Sequence, residues 1–392
     1  MPTESTFLFA GLLFLAAALG YVFARYGDPD EDEDELRESA RANFVKGFRY
    51  LLNEEPDRAV EVFTSSGEIN EEGLDTQIAI GGLFRRRGEV DRAIRMHQSL
   101  LDRPEISRSQ RDKTRFALAE DFFSAGLFDR AEDLYLQLRE AGEYRIAALR
   151  RLLRICEVTA EWDRAVDLCG ELLGIEAEAV PPAQLAHYYC ELAEEARRKS
   201  DWDEAYRLLE QADAVEPGKL RGTLIRGDLA ADRGQPAVAA AAYVEIARSF
   251  PAMLGDVLPR LLQTIPESGL ESLLNEVTDT PDGLRGIALA VIHDPAITHP
   301  AAIDCLGRFI EQQPILRDLV AAGLPESTVR ESRQQAIGRV RKALHQLAPP
   351  GMRYQCSDCG YYSSSLQWQC PGCRTWGTVA SADWLLFKGS PV

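Results

Sequence analysis

From Ser5 to Ala24 the chain carries no charged residue, and from Asp28 to Glu35 seven of eight residues are acidic. Beyond that boundary apolar residues recur at three- and four-residue spacing, as in LPRLLQTI, LESLLNEV and AIDCLGRFIEQQ. That is the period of amphipathic helices, and it predicts an all-α fold over residues 36–350. The uncharged segment is 20 residues long. As a helix rising about 1.5 Å per residue it reaches across the roughly 30 Å apolar layer of a bilayer. A cleaved signal peptide has a basic start and a shorter apolar run, whereas MPTES carries Glu4 and no Lys or Arg. Residues 1–26 are therefore expected to form a transmembrane anchor. Arg25, Arg37, Arg41, Lys46 and Arg49 follow the span and no basic residue precedes it. Basic residues gather on the cytoplasmic side, so the amino terminus is expected outside and the bulk of the chain in the cytoplasm. Residues 27–35 read as a self-repelling, extended acidic linker.

The helical region has an internal period. PDRAVEVF, VDRAIRMH, FDRAEDLY, WDRAVDLC and WDEAYRLL place Asp at 57, 91, 129, 163 and 203, and PAVAAAAY begins a sixth unit at Pro236. Alanines stand in step at 59, 93, 131, 165, 205 and 239. Twelve residues before them lie Gly47, Gly81, Ala119, Leu153, Ala193 and Gly227, mostly small. Four residues after them lie Phe63, His97, Tyr135, Cys169, Leu209 and Tyr243, mostly large. Small positions let antiparallel helices approach and large ones fill the space between pairs. The aspartates are expected to cap the second helix of each pair, and Pro217 and Pro251 to stop it. With period, small and large positions agreeing, residues 36–252 resemble tetratricopeptide repeats, an α-solenoid, and residues 253–350 read as further degenerate helix pairs.

In such an array the first helices form the binding face. Counting from the small residues places Phe44, Phe48, Ile78, Lys113, Phe116, Phe123, Arg150, Arg154 and Arg197 toward it. Aromatics mixed with cations suit an acidic peptide segment. The competing reading is that the apolar members only pack helix on helix.

The net charge is −18, with 62 acidic against 44 basic residues. A nucleic acid partner is not expected, since it needs a basic face. The five histidines form no HExxH pair, and GxSxG and GxxxxGK[ST] are both absent. His293 and His299 lie beside prolines and read as turn residues. Nothing in the chain assembles a catalytic constellation, so it reads as a non-enzyme.

Eight cysteines fall into two sets. Cys156, Cys169, Cys190 and Cys305 are scattered through helical sequence and read as small buried apolar residues. Cys356, Cys359, Cys370 and Cys373 form two CxxC knuckles, the spacing that places four thiolates around one metal ion. CxxCGY followed by CPGC resembles the rubredoxin family at Cys356, Cys359, Gly360, Tyr361, Cys370, Pro371 and Cys373. The segment between the knuckles is shorter than in rubredoxins, and Arg374 stands where they carry Gly. Four sulfur ligands leave no open coordination position, and so short a module lacks a core of its own. The ion, iron or zinc, is thus read as structural rather than redox-active. Trp368, Trp376, Trp384, Leu385 and Phe387 offer an apolar docking surface for residues 351–392.

Anchor, tetratricopeptide array and rubredoxin-like tail together resemble the lipopolysaccharide assembly protein B family. The resemblance implies a protein of the bacterial inner membrane with a periplasmic amino terminus. It implies an adaptor that works with the membrane AAA+ protease FtsH to promote degradation of the LpxC deacetylase. Lipopolysaccharide transport and sensing proteins of the inner membrane are further implied partners. Alternatives are a scaffold for another envelope assembly complex, or a membrane-tethered electron carrier. Whether the array pairs into a homodimer is left open by the sequence.

Overall fold

The computed structural model describes residues 42, 45–47, 49–50, 56–65, 71–140, 142–314, 316–318, 331–347 and 353–382. The expected anchor and acidic linker lie outside the described residues. No described helix is long and apolar enough to cross a membrane.

The chain divides into two compact units, residues 1–159 and 160–392. The first holds α1 (Pro56–Ser65), α2 (Glu71–Arg86), α3 (Val90–Leu101), α4 (Arg108–Ser124), α5 (Phe128–Arg139) and α6 (Arg145–Thr159). The second continues with α7 (Trp162–Ile175), α8 (Pro182–Arg198), α9 (Trp202–Val215), α10 (Leu220–Asp232) and α11 (Pro236–Ser249). A 3-10 turn at Pro251–Met253 leads into α12 (Leu254–Thr264), α13 (Glu267–Val277), α14 (Pro281–His293), α15 (Pro300–Gln312) and α16 (Glu331–Leu347). A small module with β1 (Tyr354–Cys356), β2 (Tyr362–Ser363) and β3 (Val379–Ser381) closes the described chain. The protein is thus a helical-repeat array with a small C-terminal metal-knuckle module. As expected, α9 and α11 stop just short of Pro217 and Pro251. His293 ends α14 and His299 precedes α15.

The periodic alanines are all buried, each with 0% exposure. In two of the units the small and large positions are shown to meet as their spacing requires. A Cβ at Gly227 would sit 2.5 Å from Tyr243 Cε1, and the His97 ring fills the space over Gly81. The large side chains also carry polar tips. Tyr135 donates its hydroxyl to Glu120 (2.6 Å), and Tyr243 does the same to Asp228 (2.7 Å). Each carboxylate is then held by an arginine from the next pair, Arg151 on Glu120 and Arg260 on Asp228. In the first unit His97 Nε2 donates to the Ile78 carbonyl (3.2 Å) and Nδ1 meets the buried Asp121, which also accepts from Arg85 at 2.6 Å. A buried polar group deprived of its partner is costly, so these contacts fix the register of successive pairs.

The aspartates do not cap as expected. Asp91, Asp129, Asp163 and Asp203 lie inside the first turn, and the N-cap residues are Glu89, Leu127, Glu161 and Asp201. Among these four only Asp201 accepts a side-chain cap hydrogen bond, from the Glu204 amide. The reason is the preceding turn. Gly88, Gly126, Ala160, Ser200 and Gly234, five residues before their alanines, all have left-handed φ between 59° and 83°. Four of the first helices close with the paired backbone bonds of a Schellman turn, for example Glu89 N to Phe84 O at 2.9 Å and Gly88 N to Arg85 O at 3.0 Å. That compact turn starts the next helix one residue before the aspartate, whose charge instead faces the helix's positive end.

Gly227→Ala should lower stability by about 1–3 kcal/mol, because the added Cβ enters the buried Tyr243 ring. Chemical denaturation of the variant against native protein checks this, and an unchanged midpoint would count against the packing described.

Candidate metal centre and its docking face

Each knuckle is a tight turn whose backbone aims sulfur inward. In the first, the Cys356 amide donates to the Tyr361 carbonyl (2.8 Å) and the Gly360 amide to the Cys356 carbonyl (3.0 Å). The second repeats the pattern, with Cys370 N to Thr375 O (2.9 Å) and Arg374 N to Cys370 O (2.8 Å). Gly360 and Arg374 occupy matching left-handed positions, φ 75° and 64°. Arg374, where the rubredoxin resemblance expects Gly, thus adopts a left-handed backbone, at the cost of about 1–2 kcal/mol that such a conformation imposes on a side chain. A Cβ on Gly372 would come 3.2 Å from Cys359 Sγ, so that position needs its missing side chain. The strands form an antiparallel sheet in the order β2-β1-β3, with β1 central and ending on Cys356.

The four Sγ atoms lie within 4.8 Å of one another. Cys356 and Cys373 are 3.7 Å apart and Cys359 and Cys370 3.6 Å. A tetrahedron with metal–sulfur bonds of about 2.3 Å has edges of about 3.8 Å, so the donor set fits one four-coordinate ion. Iron and zinc both suit such thiolates. Bound there, the ion would offset the thiolate charge and tie the two knuckles together. Cys356 and Cys370 are buried, Cys359 and Cys373 exposed. The other four cysteines are buried. Burial pushes the Cys190 thiol up to about 11, which leaves it protonated and inert near neutrality.

The module does not stand free. Within the second unit Trp376 enters a box of repeat side chains, stacked on His187 (4.9 Å between centroids, 22°). It also meets Trp162 and Tyr188 edge-on at 6.0 and 5.7 Å. Arg221, only 4% exposed, lies over Trp368 and Trp376 at 5.4 and 5.9 Å and is held by Glu191 at 2.8 Å. Leu366 and Trp368 pack against the large helical core of this unit. Tyr354 donates its hydroxyl to Asp256 on α12, and Arg353 lies 3.8 Å from the same carboxylate. Burial, then the nearby Arg221 and Lys219, hold the His187 pKa down to about 3, so the stacked ring is neutral. Burial raises the Asp256 carboxyl above its ordinary value although the Tyr354 bond pulls the other way.

Trp368 and Trp376 thus dock as the sequence suggested, while Trp384, Leu385 and Phe387 lie outside the described residues. The seat itself, His187, Tyr188, Arg221 and Asp256, was not singled out from the sequence. The signal was present: His187 and Arg221 stand six residues before Ala193 and Gly227, the register that selected Lys113 before Ala119. Of the candidate groove, Phe44 and Phe48 lie outside the described residues. Ile78 is half-buried. Phe116 packs on Tyr135 and Tyr144, and Phe123 on Phe128. Lys113 pairs with Asp75 (2.7 Å) and Arg154 with Glu157 (2.7 Å), while Arg150 is exposed. In the second unit Arg197 pairs with Asp232 (2.7 Å) and Glu194 (3.3 Å).

Comparison with known proteins follows the same division. Residues 354–380 match the rubredoxin metal binding domain and residues 78–111 a tetratricopeptide repeat. Over 379 residues the chain is 30% identical to lipopolysaccharide assembly protein B of Escherichia coli K12, covering 94% of this chain and 96% of that protein. The chain belongs to the lipopolysaccharide assembly protein B family. The Haemophilus influenzae protein of that name is 29% identical over 396 residues, with coverage of 94% and 96%. A solved tetratricopeptide repeat protein from Parabacteroides merdae is similar over 78% of this chain and 99% of its own, at 13% identity and a TM-score of 0.31.

For this family member, elemental analysis of purified protein should give one iron or zinc per chain, and Cys356→Ser/Cys370→Ser should carry none. Equal metal content in the two proteins would remove the sulfur cluster as the binding site.

Proposed function

We propose that this chain is a non-enzymatic inner-membrane adaptor that regulates lipopolysaccharide biosynthesis. The observation that carries the reading is its relation, along 94% of its length, to proteins named for lipopolysaccharide assembly. Two features of the chain support the non-enzymatic part. The cysteine cluster, once filled, has no open coordination position, and helical repeats serve as binding scaffolds.

In the finer form of the proposal, the adaptor brings the LpxC deacetylase to the membrane AAA+ protease FtsH and so promotes its degradation. Lipopolysaccharide transport and sensing proteins of the inner membrane are its other partners. The uncharged segment Ser5–Ala24 supplies the single-pass anchor, with the amino terminus in the periplasm and the repeats in the cytoplasm. Confinement to the plane of the protease raises the effective concentration of both partners without any new contact. The client segment is assigned to the first-helix face, with Phe44, Phe48, Ile78, Lys113, Phe116, Phe123, Arg150, Arg154 and Arg197 as its candidate contacts. The ion acts structurally, by holding the knuckles in the shape that seats on α8, α10 and α12.

The test is the half-life of the LpxC deacetylase in cells with the native protein, with Cys356→Ser/Cys359→Ser, and with none. The expected result is a short half-life that lengthens several-fold on depletion and in the cysteine variant. The same half-life in all three would overturn the proteolytic role and leave a scaffold for a different client.

A further inference from the structure

The docking contacts and the metal ligands are interleaved along the module. Tyr354, which reaches Asp256, precedes the ligand Cys356 by two residues, and Trp368 precedes Cys370 by two. The second knuckle is bracketed by the bridge between Gln369 and Trp376 and by the bond from the Gly377 amide to the Trp368 carbonyl at 2.8 Å. The positions of both docking tryptophans therefore depend on the fold of that knuckle. A small sulfur-ligated module keeps its fold through its ion. The receptor side is equally specific. His187, Tyr188, Arg221 and Asp256 come from three helices of the rigid array, and they meet the module through ring stacking, a buried guanidinium and one carboxylate.

We propose that this contact is metal-gated: the repeat face receives the module only in its metal-loaded form, and it in turn strengthens retention of the ion. Because coupling between two binding events is reciprocal, whatever the ion contributes to docking, docking contributes to holding the ion. Loss of the metal then frees Trp368 and Trp376 and opens to solvent the aromatic and cationic face that they cover. Repeat residues with no atom among the sulfur ligands, His187 and Trp162, become positioning residues for the metal centre. The inference stands apart from the identity of the client, since it concerns only contacts within the second unit.

The experiment uses the full chain, purified with its metal in detergent. Transfer of the ion to an excess of a chromogenic chelator is followed for native protein, His187→Ala and Trp162→Ala. Both substitutions lie on the repeats, and far-ultraviolet circular dichroism verifies that the array remains folded in each. Release should be about tenfold faster in both variants, within the range typical of coupled sites. As the converse arm, amide hydrogen exchange is compared in native protein before and after the metal is stripped. Exchange should rise over residues 185–191 and 219–224 as well as over 353–382. Native release rates in both variants would overturn the proposal, as would stripped protein in which residues 185–191 and 219–224 exchange as in the loaded form.

Discussion

The C-terminal module, residues 351–392, is small for a core of its own, and that shortage governs how the second unit is built. Among its described residues the buried apolar ones are Tyr354, Cys356, Cys370, Val379 and Ala382, two of them candidate metal ligands. Below about 70–80 residues one hydrophobic core rarely suffices, and small domains commonly add a metal, a disulfide or a partner surface. This module has two of the three, four sulfurs around one site and a seat on the helices. The seat takes what the module has to spare, the rings of Trp368 and Trp376 and the hydroxyl of Tyr354. It supplies the cation and carboxylate that those groups need, in Arg221 and Asp256.

The array solves a related problem in both of its units. Helix pairs with a buried alanine in every repeat have little side chain there to define register, and the definition comes from polar tips placed on the large residues. Tyr135 with Glu120 and Arg151 in the first unit matches Tyr243 with Asp228 and Arg260 in the second. Arginines and carboxylates some 30 residues apart are engaged with each other, a framework of ion pairs that ties successive helix pairs. Lys113, Arg154 and Arg197 belong to that framework as well as to the candidate groove.

Much of this was legible in the sequence, because local spacing encodes it. The six alanines, the companions Gly81 with His97 and Gly227 with Tyr243, and the two CxxC knuckles are periodicities or short motifs, and each landed where its spacing required. What was not legible has two physical sources. Ala160, Ser200 and Arg374 adopt a left-handed backbone without being glycine, so the usual marker of that turn is missing. The turns ahead of the second helices also move the helix start, and the aspartates read as caps became first-turn residues. The second source is distance along the chain. Tyr354 and Asp256 are 98 residues apart and Trp376 lies still farther from His187. No local period couples such positions; only the fold of the array brings them together.

Module and repeats share one energetically coupled interface. A double-mutant cycle between Tyr354→Phe and Asp256→Ala in the metal-loaded chain, read by equilibrium denaturation, tests this most directly. Each single variant removes one partner of the hydroxyl–carboxylate contact. The structure predicts that the two effects fall short of adding by about 1 kcal/mol or more, as they do for residues in direct contact. Additivity within about 0.3–0.5 kcal/mol, the behaviour of independent sites, would contradict a seated module.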